Sequence, residues 1–187
     1  MLISKFKTEY MEERVSDFEK KCAVDLPKTY RDFIKKYNGG RTPDTTFKGK
    51  IKTDITGFLG FDTEEQWNIE NLMACEIGEN MLQKGFLPIA ENSWGDYFGI
   101  CINGGDRGSI FFWQHDMPGK GVKIADDFTE FISKSKSEKI GHIRTIEERK
   151  RDMIAANKGS KITDIKIKMW QQEIDYYAGI SQEEVIL

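Results

Sequence analysis

Histidine, cysteine and proline are scarce in this chain, with two, three and four residues among 187. His115 and His142 lie far apart, and neither belongs to an HExxH pair or any other ligand spacing, so no metal site is expected. Cys22, Cys75 and Cys101 form no CxxC pair. That excludes a zinc ribbon or a dense disulfide framework and suits a reducing cytoplasm, with the three thiols serving as small apolar residues. Long apolar runs are missing too: segments such as Gly108–Trp113 are far too short to span a bilayer. The opening MLISKFKTEYMEER has no apolar h-region, so no signal peptide is expected and the chain is read as cytoplasmic. The glycine clusters at Gly57–Gly60 and Asn103–Gly108 lack a GK[ST] sequence, and the second precedes a strand where a phosphate cradle precedes a helix. They are turns, and no cofactor is implied.

What is present is a good supply of core. Hydrophobic residues make up 39% and aromatics 12%, which rules out wholesale disorder and suits one domain with an appendage. Charge is unevenly spread. Residues 1–133 carry 17 Lys/Arg against 22 Asp/Glu, whereas residues 134–168 carry 11 against 5. The acidic body argues against nucleic acid as the main partner, and the basic stretch keeps that option open for the tail.

Apolar residues recur at three- and four-residue steps from Ile3 through Phe6 and Tyr10 to Met11, Val15, Phe18 and Cys22, which predicts one or two helices. Leu26, Tyr30, Phe33, Ile34 and Tyr37 form a second stripe, opened by Pro27 and stopped by Asn38-Gly39-Gly40. Turn-rich sequence then brackets strands at Ile51–Ile55 and Phe58–Phe61, and Thr63–Ile77 reads as a helix with Thr63 as N-cap. Phe86–Ala90, Tyr97–Ile102 and Ser109–Gln114 are strands, the last two joined by a hairpin loop, and Asp127-x-x-Glu130 opens a helix. Ser133–Lys139 reads as a linker. A helix ending at Asn157-Lys158-Gly159 and a last one from Ser160 to Tyr177 follow, with a strand around Ile165–Met169 as the alternative. The fold class is α+β: a mainly antiparallel sheet flanked by helices, spanning residues 1–134, with a C-terminal helical extension over 135–187.

His115 ends a strand beside Asp116, so an enzymatic reading would use it as general base with Asp96 or Asp116 as orienter. Without a nucleophile or metal signature, surface structure is the simpler account. Interleaved bases and aromatics in the tail, such as Arg149, Lys150, Arg151 and Trp170, fit nucleic acid or a solvated helix face.

Three stretches in order resemble the SUKH superfamily, the bacterial toxin-immunity proteins that also include the fungal Smi/Knr cell-wall regulators. They are Phe18-Glu19-Lys20-Lys21 with Leu26-Pro27-x-x-Tyr30-x-x-Phe33-Ile34-x-x-Tyr37-Asn38-Gly39-Gly40; Phe86–Ala90 with Trp94–Ile100; and Gly108–Asp116 with Ile124–Ile132. The resemblance covers about residues 1–134. It implies a non-catalytic protein that neutralises a cognate protein toxin, often a nuclease or other nucleic-acid-directed enzyme. A nuclease presents a basic groove, which an acidic body can occupy. Trp94, Asp96, Asp106 and Asp116, at strand ends and turns, are the expected partner-binding residues, Trp94 as anchor and the carboxylates for steering. A regulatory scaffold without a toxin, or an enzyme using Asp96, His115 and Asp116, remain the alternatives.

Overall fold

Alternation of side chains across one central sheet explains where its glycines and aromatics face. The computed structural model describes residues 1–117 and 119–187. In chain order its elements are β1 (Leu2–Lys5), α1 (Met11–Cys22), α2 (Lys28–Tyr37), β2 (Gly40–Arg41), β3 (Thr45–Lys48), β4 (Lys52–Asp54) and β5 (Gly57–Phe58). A 3-10 turn (Glu65–Trp67), α3 (Ile69–Met73), α4 (Glu76–Gln83), β6 (Phe86–Glu91), β7 (Tyr97–Cys101), β8 (Ile110–Trp113) and β9 (Gly121–Ala125) follow. The chain ends with α5 (Phe128–Lys134), β10 (Ser135–Ser137), α6 (Ile146–Ala155), α7 (Asp164–Ala178) and β11 (Glu183–Glu184). An antiparallel sheet of eight strands runs in the order β11-β1-β2-β5-β6-β7-β8-β9, beside a three-stranded sheet β10-β3-β4. The α+β reading is borne out.

Successive strand residues face opposite sides. Phe58 and Phe98 meet Phe33 of α2 and Phe128 and Phe131 of α5 in a continuous aromatic core. Their neighbours Gly57 and Gly99 face the other way, where a Cβ would collide with Trp67 and Met81, so the small residues let the α3–α4 layer sit close.

Asn38-Gly39-Gly40 does more than stop α2. Asn38 closes the helix in the left-handed conformation, and its buried amide donates to the carbonyls of Lys7 (2.6 Å) and Phe61 (2.9 Å) while accepting from Phe61 N (2.7 Å). Gly39, at φ +71°, lies against the backbone of Phe58 and Leu59, leaving no room for a Cβ.

Four local expectations are corrected. Leu2–Lys5 is a strand, because edge pairing with β2 and β11 buries Ile3 and outweighs the helical spacing. Thr63–Ile77 is broken into a 3-10 turn and α3, capped by the Asn68 side chain and not by Thr63, and α4 begins only at Glu76. The expected linker contains the end of α5 and the strand β10, whose Ser135 is fully buried and pairs with Phe47. The last helix is a helix and not a strand, but begins at Asp164 with Thr163 as cap. The boundary expected at residue 134 therefore falls inside hydrogen-bonded structure. Beyond it, β11 adds to β1, Val185 enters the core, and Ile186 N donates to the Tyr37 hydroxyl at 2.9 Å.

Candidate partner-binding face

The turn between β6 and β7 is built around Asn92. Its buried side-chain oxygen accepts from the backbone N–H groups of Trp94 (2.9 Å) and Asp96 (2.8 Å), and its amide donates to Thr53 Oγ1 (3.0 Å) and Asp96 Oδ2 (3.1 Å). Asp54 braces the turn from outside, accepting from Ser93 N at 3.1 Å. Gly95 takes φ +80°, and a Cβ there would meet nothing within 4 Å, so glycine is needed for its backbone and not for space. On this braced turn Trp94 is 77% exposed.

Asp96 is not the presented carboxylate expected from sequence. Only 8% exposed, it accepts from His115 N at 3.0 Å and lies 2.9 Å from His115 Nδ1, tying the turn to the end of β8. Burial works to raise its pKa, but the hydrogen bonds from the His115 backbone, the His115 ring and Asn92 prevail and hold it below the ordinary value. Asp116 is exposed beside this pair. Asp106 does not join them. It lies in the loop at the far end of β7, about five residues and roughly 17 Å along the strand, and pairs with Lys123 at 2.9 Å.

Between this turn and the start of α4 lies a cavity of about 400 Å³ lined by Cys75, Glu76, Ile77, Asn80, Gly95, Tyr97 and His115. Among the described residues no Lys or Arg lines it. Burial first, then Glu91 and Cys75, push the Tyr97 phenol pKa up, and burial alone raises that of Glu91. An oriented Asp–His pair near a cysteine is the kind of set nucleophilic catalysis uses. Here the Cys75 thiol donates to the Asn71 carbonyl at 3.3 Å, and among the described residues no hydrogen bond joins it to His115. His142, the other histidine, meets Glu148 at 3.0 Å on the extension. Among the described residues no three His, Cys, Asp or Glu could hold a metal ion, and no helix is long and apolar enough to cross a membrane.

Sequence reasoning missed the carboxylates that accompany the cavity. Residues 53–83 hold seven Asp/Glu and no Lys or Arg. Asp62 and Glu70 pair with Arg14, and Glu64 with Arg41. Glu65, Glu76 and Glu79 are exposed and make no ion pair among the described residues. A cation-free window of 31 residues was the available signal, hidden by averaging charge over the whole body.

A family described as SUKH_6: SMI1-KNR4 cell-wall matches residues 12–132. The chain is also 28% identical over 141 residues to the SPbeta prophage-derived uncharacterized protein YokK of Bacillus subtilis (strain 168), covering 64% of this chain and 71% of that protein.

Proposed function

The chain belongs to the SUKH (SMI1-KNR4 cell-wall) family, and from that premise we propose that it is an immunity protein that binds and neutralises a cognate protein toxin. The observation that carries the reading is Trp94, a large aromatic held out to solvent on a turn fixed by Asn92 and Asp96. Exposing tryptophan brings the fold nothing, whereas rigid aromatics beside a pocket are the usual anchors of protein interfaces. The adjoining cavity, lined by Glu76 and by no Lys or Arg among the described residues, with Glu79 exposed on the same helix, favours a basic side chain of the partner. A nuclease or other nucleic-acid-directed toxin carries such side chains in its substrate groove. Asp96 and His115 act as braces in this reading, without catalysis, and three free thiols are consistent with action in the cytoplasm.

The test is association and dissociation kinetics with the toxin encoded beside this chain's gene. Glu65→Gln/Glu76→Gln/Glu79→Gln should slow association several-fold and flatten its salt dependence, because exposed charges steer encounter. Trp94→Ala should leave association alone and speed dissociation roughly tenfold or more, corresponding to about 1.4–2 kcal/mol. Salt-insensitive association, unchanged in the triple variant, would place the binding face elsewhere. The family's cell-wall description favours a second reading, a regulatory scaffold with no toxin partner; absence of any toxin gene beside this one would favour it.

A further inference from the structure

Ser135 and Val185 are buried, and no residue between them is. The chain leaves the body after β10 and returns at β11. The Gln182 side chain clasps the two limbs, accepting from Ile140 N at 2.6 Å and donating to the Ile140 carbonyl at 3.2 Å. Beyond that clasp, α6 and α7 are fastened to each other by two hydrogen bonds from Arg149 to Glu173, at 2.7 and 3.0 Å. Among the described residues no hydrogen bond or ion pair links residues 141–180 to residues 1–137. What separates them is open space: α7 faces the Thr42–Asp44 segment across two cavities of about 370 and 440 Å³, which share Thr42, Pro43, Asp44 and Tyr176. Each limb carries a glycine just inside the clasp, Gly141 and Gly179. Neither is there for space or for a positive φ. A Cβ on Gly141 would meet nothing within 4 Å, and Gly179, at φ −82°, would place one 3.6 Å from the Tyr176 carbonyl oxygen. Alanine would fit at both in the observed position, so what glycine adds is access to other backbone positions.

We propose that residues 141–181 are a rigid lobe hinged at Gly141 and Gly179, which swings to open and close the groove between α7 and the Thr42–Asp44 segment. Two parts of one chain keep a single orientation when a large apolar interface fixes it, and relative motion is the rule without one. No such interface holds this lobe, since it buries no side chain. Closing lays Tyr176, Tyr177 and Ile180, which line the groove, against the buried Pro43. That movement breaks no polar bond to the body and removes apolar surface from water, so both positions are accessible. Hinges of this kind move in microseconds to milliseconds. The hinge stands whether or not a toxin binds the Trp94 face.

Distance measurement between paired spin labels on the full chain tests it. In a Cys22→Ser/Cys75→Ser background the remaining thiol, Cys101, is buried. Labels go at Lys28→Cys on α2 and at Lys161→Cys between α6 and α7, both exposed positions. This pair should give a distance distribution at least about twofold wider than the pair Arg151→Cys/Lys168→Cys within the lobe, because only the first spans the hinge. Gly141→Ala/Gly179→Ala should narrow the first distribution about twofold and leave the second unchanged, since alanine restricts the backbone without straining the observed position. Gln182→Ala opens the clasp and should widen the first distribution further. Equal widths for the two label pairs would overturn the proposal. So would a lobe-to-body distribution indifferent to the glycine substitutions, which would leave the chain without pivots at Gly141 and Gly179.

Discussion

The body matched by the family and the C-terminal extension are held by different physics. In the body, rings from α2, α5 and the sheet interlock, with Phe33 alone approaching Tyr30, Tyr37, Phe58 and Phe128 at centroid distances of 5.0–6.3 Å. In the extension, the helices bury nothing fully; short strands and single hydrogen bonds attach it to the body, and the Arg149–Glu173 pair ties its two helices together. Buried apolar area yields stability in proportion to its size, while exposed ion pairs yield little. The body therefore holds most of the buried apolar area, and the helices of the extension add little to it.

The largest effect that would express this contrast is Phe33→Ala. Losing a fully buried ring at the centre of the cluster should cost about 3–5 kcal/mol, read from urea denaturation at constant slope. Truncation sharpens the contrast further. A chain ending at Lys134 loses β10, the Leu2 N–H bond to Ser137 Oγ (2.9 Å), β11 and the Val185 contact. It should be clearly less stable, since about ten hydrogen bonds go with it and each is worth about 0.5–1.5 kcal/mol net. A chain ending at Lys139 retains β10 and should recover part of that loss. Equal stability of the two would mean that β10 adds nothing and that residues 1–134 form a unit by themselves.

Long periodic elements and turn chemistry were legible from the sequence. The stripe of α2, its Asn-Gly-Gly stop, the three central strands and the Asp127 cap on Glu130 N all lie where spacing placed them. What could not be read were elements defined only by partners distant in sequence. Strand β1 is four residues and β2 and β11 are two each, too short to show a period, and they exist because neighbours supply the ladder. Ser135–Ser137 is polar and looks like a linker, yet Ser135 fills a slot beneath Phe131, donating to its carbonyl at 2.8 Å. At the site, the exposed turn with Trp94 was legible. The inward commitment of Asp96 was not, because it depends on His115, 19 residues later and across a strand pair.

Asp96→Asn probes the brace between those two regions of sequence. The buried carboxylate accepts from a backbone N–H, a ring nitrogen and an amide, and substituting an amide turns one acceptor into a donor facing donors. The loss should be about 1–3 kcal/mol. Its pH dependence has a definite sign. The folded-state pKa is depressed from 3.8, so the contribution is fully present above that value and disappears as pH falls through the lower, folded-state one. Wild type should thus converge on Asp96→Asn in acid, while the two stay apart at neutral pH. A gap that persists unchanged in strong acid would show that packing, and not the ionised carboxylate, carries the effect.

The smallest expected effect is the most informative about the site. Trp94→Ala removes the largest side chain type from a position that is 77% exposed, on a turn whose hydrogen bonds run through the Trp94 backbone and the side chains of Asn92 and Asp96. None of those bonds uses the indole. Stability should shift by no more than about 0.5 kcal/mol, as for surface positions away from caps, cores and networks. The same experiment done on Phe33 costs several times more, so the pair of variants separates side chains kept for folding from side chains kept for contact. A loss above about 1.5 kcal/mol for Trp94→Ala, a size that needs buried contacts, would mean that the indole closes over the cavity lined by Tyr97 and His115 in solution. The exposed ring would then be a lid on the body's own structure, and the case for Trp94 as an anchor would fall with it.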